Sequence, residues 1–128
     1  MFNSFNISPH NYQNVKPFPH MFMDNFLDSN FAKEIQTEIL NIPIAEFDRY
    51  DNPFEQKYTL RDKYNYPVNL TKLMDILTSK LFIKQLSELV GYNLINDLDR
   101  NFWGVHSYKN GDRLDVHVDA GIHPKLGL

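Results

Sequence analysis

Near the end of the sequence, His117 and Asp119 place an imidazole and a carboxylate two residues apart. Successive side chains of an extended strand point to opposite faces, so residues i and i+2 share a face with their backbones roughly 7 Å apart, a gap that two converging side chains can close on one ion. A neutral imidazole with one carboxylate is a donor set suited to iron(II), whose oxygenase sites use two His and one carboxylate and leave the opposite positions open for reactants. Five His and 11 Asp in 128 residues give the His-x-Asp triplet about 0.4 chance occurrences, so its weight comes from its surroundings. Those surroundings are strand-like. From Trp103 to Asp119 two such runs flank Asn110-Gly111, a strong turn signal. On the second run Leu114, Val116 and Val118 fall on one face and Asp115, His117 and Asp119 on the other. The apolar face is expected to be covered by helices, which would turn His117 and Asp119 toward a cleft.

The upstream elements must supply that cover. Residues 1–16 are rich in Asn and Ser without sustained periodicity and read as an irregular arm. His20 to Asp24 is compatible with a short strand. Asp28 can cap a helix running to about Leu40, because Phe31, Ile35 and Ile39 form an apolar stripe and Pro43 prevents continuation. The text from Ile44 to Asn69 suggests short strands and loops. Two further helices are expected, one carrying Leu70, Leu73 and Leu77, the next capped by Ser79 and stopped by Gly91. Strands are then expected at Leu94–Asn96, Phe102–Tyr108 and Arg113–Asp119. Helices come first and strands last, which is an α+β order.

Composition narrows the functional classes. The chain is 42% hydrophobic, 14% aromatic and 23% charged, enough to build one folded domain. Its net charge is −3 and no run of Lys or Arg forms a basic stripe, which disfavours nucleic acid as a partner. There is no cysteine, so a metal must be held by His, Asp, Glu or Tyr. The absence of a signal-like start and of a spanning-length apolar stretch leads to the expectation of a soluble, cytoplasmic protein without a membrane partner. No nucleotide-binding glycine loop, serine-hydrolase elbow or His-Glu-x-x-His helix is present.

Tyr108, Gly111, Leu114, His117 and Asp119 stand in the spacing Tyr-x2-Gly-x2-Leu-x2-His-x-Asp. This resembles the first half of the iron-binding signature of prolyl-4-hydroxylase-like iron(II)- and 2-oxoglutarate-dependent oxygenases. Residues 17–128 are similar to the N-terminal portion of that domain, including Pro17-Phe18-Pro19-His20, Phe26-Leu27-Asp28 and Phe82 to Gly91. Only the last twenty or so residues are specific.

The resemblance implies that His117 and Asp119 are two of three iron ligands and that Tyr108 points into the 2-oxoglutarate pocket, with Gly111 and Leu114 structural. It implies a double-stranded β-helix (a jelly roll, cupin-like), in which the two runs lie in opposing sheets and Asn110-Gly111 forms a corner, whereas the turn signal alone favours a simple hairpin. The implied cofactors are iron(II), 2-oxoglutarate and ascorbate. The implied reaction couples decarboxylation of 2-oxoglutarate by dioxygen to hydroxylation of an organic or protein substrate. The family's second His and its carboxylate-anchoring base lie far downstream of the first two ligands. Here only His123 and Lys125 follow, and neither transfers to those roles. The expectation is therefore an incomplete barrel with little turnover alone, completed by missing strands or a second polypeptide.

Two rival readings accompany this one. His117, Asp119 and His123 form His-x-Asp-x3-His, a cluster that could hold zinc or manganese for hydrolysis, although Gly121 and Pro124 suggest a loop that carries His123 away. In a non-catalytic binding or structural domain, His117 and Asp119 would be an ordinary polar pair. His106 is expected to pair with Asp115 across the turn, and Arg113 either contacts a carboxylate in the pocket or lies on a solvated strand edge.

Overall fold

The computed structural model describes residues 2–61, 64–97 and 104–119. Among them the architecture is α+β, with four helices and a three-stranded antiparallel sheet: α1 (Pro9–Gln13), α2 (Ser29–Leu40), β1 (Phe47–Asn52), β2 (Glu55–Leu60), α3 (Val68–Leu77), α4 (Lys80–Val90) and β3 (His106–Ser107). No helix among the described residues is long and apolar enough to cross a membrane.

The helix boundaries follow local chemistry. Asp28 caps α2, its carboxylate accepting from the backbone N–H groups of Asn30 and Phe31 at 3.0 and 3.1 Å. Ser79 caps α4 through Phe82 at 3.1 Å. Gly91 ends α4 at φ 86°, a left-handed conformation natural to glycine, and a Cβ there would lie 2.6 Å from the Gln13 side chain. By contrast α3 follows Pro67 and has no cap from its own segment. Glu38 of α2 supplies one. Its Oε1 accepts from the Asn69 backbone and side chain, both at 3.0 Å, and its Oε2 from the Leu70 N–H at 2.8 Å. Burial works against the charged form of Glu38, but these donors from Asn69 and Leu70, with the Lys72 charge, prevail and hold its pKa below the ordinary glutamate value.

The sheet begins as a hairpin around Pro53-Phe54, where the Asn52 side chain accepts from the N–H groups of Phe54 and Glu55 at 2.8 and 2.9 Å. Its pairing runs from Phe47 opposite Leu60 to Asn52 opposite Glu55. Opposed residues share a face. One face thus carries Phe47, Arg49, Tyr58 and Leu60; the other carries Asp48, Tyr50, Glu55, Lys57 and Thr59, with His106 of β3 opposite Thr59. Ile35, Ile42, Leu60 and Leu70 form the core, joined by Phe31, Ile39, Phe47, Leu73, Met74 and Val105. A second cluster packs the N-terminal segment on α4, with Phe2, Phe5 and Phe26 around Phe82.

Four expectations need correction. Residues 1–16 are not all irregular, since Ser8 caps α1, and Phe2 bridges Leu27. No strand forms at His20–Asp24. The chain turns at Asp24-Asn25, and the only pairing nearby joins Leu27 to Phe2, so no neighbouring strand is offered to those residues. Leu94–Asn96 is also not a strand, because the Leu94 N–H is taken by Ser87 Oγ and the Asn96 side chain by the Thr78 carbonyl. Within Phe102–Tyr108, residues 102 and 103 lie outside the described residues, and the strand is confined to His106–Ser107.

Leu70, 1% exposed, is the deepest core side chain, and Leu70→Ala is expected to cost about 2–5 kcal/mol of stability in denaturant unfolding. Glu38→Gln should lower the thermal midpoint at neutral pH. Because the folded pKa of Glu38 lies below its unfolded value, the carboxylate's contribution is complete above the unfolded value and disappears as pH falls through the folded one. Thermal scans should therefore show the gap between wild type and variant closing on acidification through that range; a gap independent of pH would contradict the capping role.

Candidate metal and carboxylate site

The segments that carry the candidate residues run along the edge of β2 opposite β1. Tyr58 and Thr59 of β2 pair with Ser107 and His106. If that register ran on, Glu55 would face Asn110, but it faces Leu114, so four extra residues are looped out. The Gln56 N–H donates to the Arg113 carbonyl at 2.8 Å and the Asp115 N–H to the Phe54 carbonyl at 2.9 Å. The segments on both sides of Asn110-Gly111 therefore lie along the same strand. This overturns both the simple hairpin and the corner between opposing sheets: each flank finds its backbone partners on β2 and the Phe54 turn before it rather than forming a ladder with the other flank.

Electrostatics hold the looped residues down. Asp112 accepts from the Lys109 N–H at 2.8 Å and from the Arg49 guanidinium at 2.7 Å, and its side chain is only 8% exposed. The Lys109 hydrogen bond and Arg49 keep the Asp112 pKa below the usual carboxylate range. The Tyr58 ring is approached by two cations, the Arg49 guanidinium carbon at 4.9 Å and the Lys109 ammonium at 4.6 Å from its centroid. Gly111, at φ 93°, permits the turn.

Beyond Leu114 the chain carries His117 and Asp119, and their side chains do meet, with Nε2 3.4 Å from Oδ1. The other ring nitrogen, Nδ1, lies 2.9 Å from the Asp115 carbonyl oxygen. A carbonyl can only accept, so Nδ1 carries the proton, and in the neutral ring Nε2 presents a lone pair to the carboxylate. Either a second ring proton makes the contact an ion pair, or a cation between or beside the two acceptors holds them together. Ligands at about 2.0–2.2 Å from one metal and at right angles to each other stand about 3 Å apart, close to the separation found, so the pair fits two adjacent positions around a metal ion. The Asp115 carbonyl orients the imidazole as outer partners of metal-bound His do. Among the described residues no group of three His, Asp or Glu forms a complete ligand set, and His123, with Lys125, lies outside them.

Among the described residues the expected helical cover of the valine face is absent. Val116 and Val118 stand fully in solvent, because the core helices pack against the sheet through Phe47 and Leu60 rather than against residues 113–119. Among the described residues the Arg113–Asp119 run makes a single bridge, at Leu114, and no strand. His106 does not pair with Asp115, which takes Arg113 at 3.2 Å, while Arg113 also donates to the Pro53 carbonyl at 2.7 Å on an exposed edge.

Tyr108 makes no hydrogen bond to His117 or Asp119 among the described residues. Its hydroxyl donates instead to Glu55 Oε1 at 3.2 Å, and the Lys57 ammonium meets the same oxygen at 2.6 Å. The Lys57 hydrogen bond holds the Glu55 pKa below the usual range against the effect of burial. Burial pushes the Tyr108 phenol up, with Lys57 opposing and Glu55 adding to it. Burial, then the Lys57 charge, lowers the His106 pKa against the pull of Glu55. Sequence reasoning missed Glu55 and Lys57. Their signal was Glu-x-Lys directly after the Asn52-Pro53 turn, the same i, i+2 rule that singled out His117 and Asp119.

Asp112→Asn or Arg49→Met should loosen the looped segment, read as faster amide hydrogen exchange at Lys109 and Asp112 with exchange in α2 unchanged; equal protection in variant and wild type would show that the pair does not restrain it. In comparisons with known proteins, the chain matches no family model, no curated protein and no solved structure.

Proposed function

We propose that His117 and Asp119 are two of the three protein ligands of an iron(II) in a 2-oxoglutarate-dependent oxygenase site of the prolyl-4-hydroxylase-like kind. The observation that carries the reading is the pair itself: Nδ1 is committed to the Asp115 carbonyl, and the Nε2 lone pair stands 3.4 Å from a carboxylate oxygen. The spacing of Tyr108, Gly111, Leu114, His117 and Asp119 supports it. Bound iron would supply the redox centre that couples decarboxylation of 2-oxoglutarate by dioxygen to hydroxylation of a C–H bond. The chain's own part is to fix the imidazole tautomer through Asp115, to place one anionic donor beside it and to leave the remaining coordination positions open to reactants. The third ligand is assigned to a second polypeptide that completes the site, since His123 does not transfer to that role. With it belongs the fold proposal, a double-stranded β-helix entered through β1–β3, without the corner at Asn110-Gly111 that the resemblance implied.

Anaerobic titration with iron(II), followed by calorimetry and then by the visible charge-transfer band on adding 2-oxoglutarate, tests the reading. Two ligands without a third predict weak binding that falls at least about tenfold in His117→Ala and in Asp119→Asn. Unchanged binding in His117→Ala would overturn the assignment and leave an ordinary surface ion pair.

A further inference from the structure

Gly91 turns the chain back at the end of α4, and the residues after it return along the helix. The Leu94 N–H donates to Ser87 Oγ at 3.0 Å, and the Asn96 side chain donates to the Thr78 carbonyl, just before the helix begins. Between helix and returning segment lies a cavity of about 660 Å³, within the range of sites that take small molecules. Its lining is ordered by charge. Four residues advance a helix by about 6 Å, so Lys80, Lys84 and Glu88 follow one another along the groove, and Tyr92 and Asn93 come next, past the helix end. Ile83 and Leu94 add apolar surface. Little of this chemistry is consumed within the chain. Among the described residues Lys80 makes no ion pair, and Lys84 reaches Glu88 only at 3.9 Å, with side chains 74% and 62% exposed, a contact too long and too wet to hold either partner. The Tyr92 ring is 67% exposed and meets no other ring among the described residues.

We propose that this groove binds a nucleoside monophosphate, with its phosphate on Lys80 and Lys84, its ribose hydroxyls on Glu88 and its base stacked on Tyr92 with one edge toward Asn93. A phosphate monoester carries nearly two negative charges at neutral pH, which two ammonium groups balance. A carboxylate accepts the hydrogen bonds that ribose hydroxyls donate. Every base has a face that an aromatic ring can cover, and the Asn93 amide offers both a donor and an acceptor to its edge. The order matters as much as the inventory: phosphate, sugar and base succeed one another in the ligand as cations, carboxylate and ring do along the groove. Such a site needs no glycine loop, because side chains rather than backbone N–H groups hold the phosphate. It needs no basic stripe either, because it holds one phosphate rather than a polyanion. The groove shares no lining residue with the His117–Asp119 pair or with the contact of Glu55, Lys57 and Tyr108, so it is independent of the oxygenase reading.

Adenosine 5′-monophosphate, its 2′,3′-dideoxy analogue, adenosine and inorganic phosphate, each titrated at low salt into the 128-residue chain and followed by ¹H–¹⁵N NMR, test the assignment group by group. The monophosphate should give saturable shifts confined to residues 78–96. Replacing both Lys80 and Lys84 by Gln should weaken it about tenfold or more and leave adenosine unchanged. Tyr92→Ala should weaken the monophosphate and adenosine alike, by about tenfold, and leave inorganic phosphate unchanged. Glu88→Gln should weaken the monophosphate and spare the dideoxy analogue. All four positions are exposed, so these substitutions leave the core intact. The proposal is overturned if the monophosphate gives no saturable shifts, if inorganic phosphate binds as tightly as the monophosphate, which would mark a bare anion site, or if Tyr92→Ala binds the monophosphate as well as wild type does.

Discussion

Six residues of β2 organise the whole sheet. β1 pairs along its full length on one side, while β3 and the Leu114 bridge share the other. The alternation of this one strand then assigns roles. Leu60 enters the core with Phe47, and Tyr58, on the same face, receives Arg49 and Lys109; Glu55 and Lys57 turn the other way, toward Tyr108. A slip of one residue would exchange the two sets, burying charges and exposing Leu60. The core and the carboxylate contact are thus two readings of one register.

Electrostatic contacts tie the elements to that frame where apolar packing does not reach. Glu38 bridges α2 to the start of α3. Asp112, held by Arg49 from β1, fixes the excursion between β3 and Leu114. Such pairs are worth little when free in solvent. Here each also satisfies backbone donors, which gives it a geometric role that a surface ion pair lacks.

Helices α2 and α4 were legible from the sequence because their signals are local: Asp28 before the Phe31, Ile35, Ile39 stripe, and Ser79 and Gly91 around an apolar run. The spacing of His117 and Asp119 was legible as well, and their side chains lie 3.4 Å apart, but the strand that was to align them stops at the Leu114 bridge. Asn110-Gly111 announced a turn, but which strand its flanks would join was settled by the distant edge of β2. The valines at 116 and 118 likewise declare a face without declaring what covers it. Tyr108 was singled out for a pocket by resemblance, whereas its hydroxyl meets Glu55, beside Lys57, about fifty residues earlier in a stretch whose pattern gave only strands and loops.

The uncovered valines bear on how the chain behaves in concentrated solution. An extended edge with apolar side chains in water can template another strand, and the usual safeguard is charge interleaved along it. Residues 115–119 follow that scheme, Asp and His alternating with Val116 and Val118. Asp115 and Asp119 place charge on either side of the exposed valines, which disfavours pairing of this segment with a strand of another molecule and turns a candidate ligand spacing into a safeguard against aggregation.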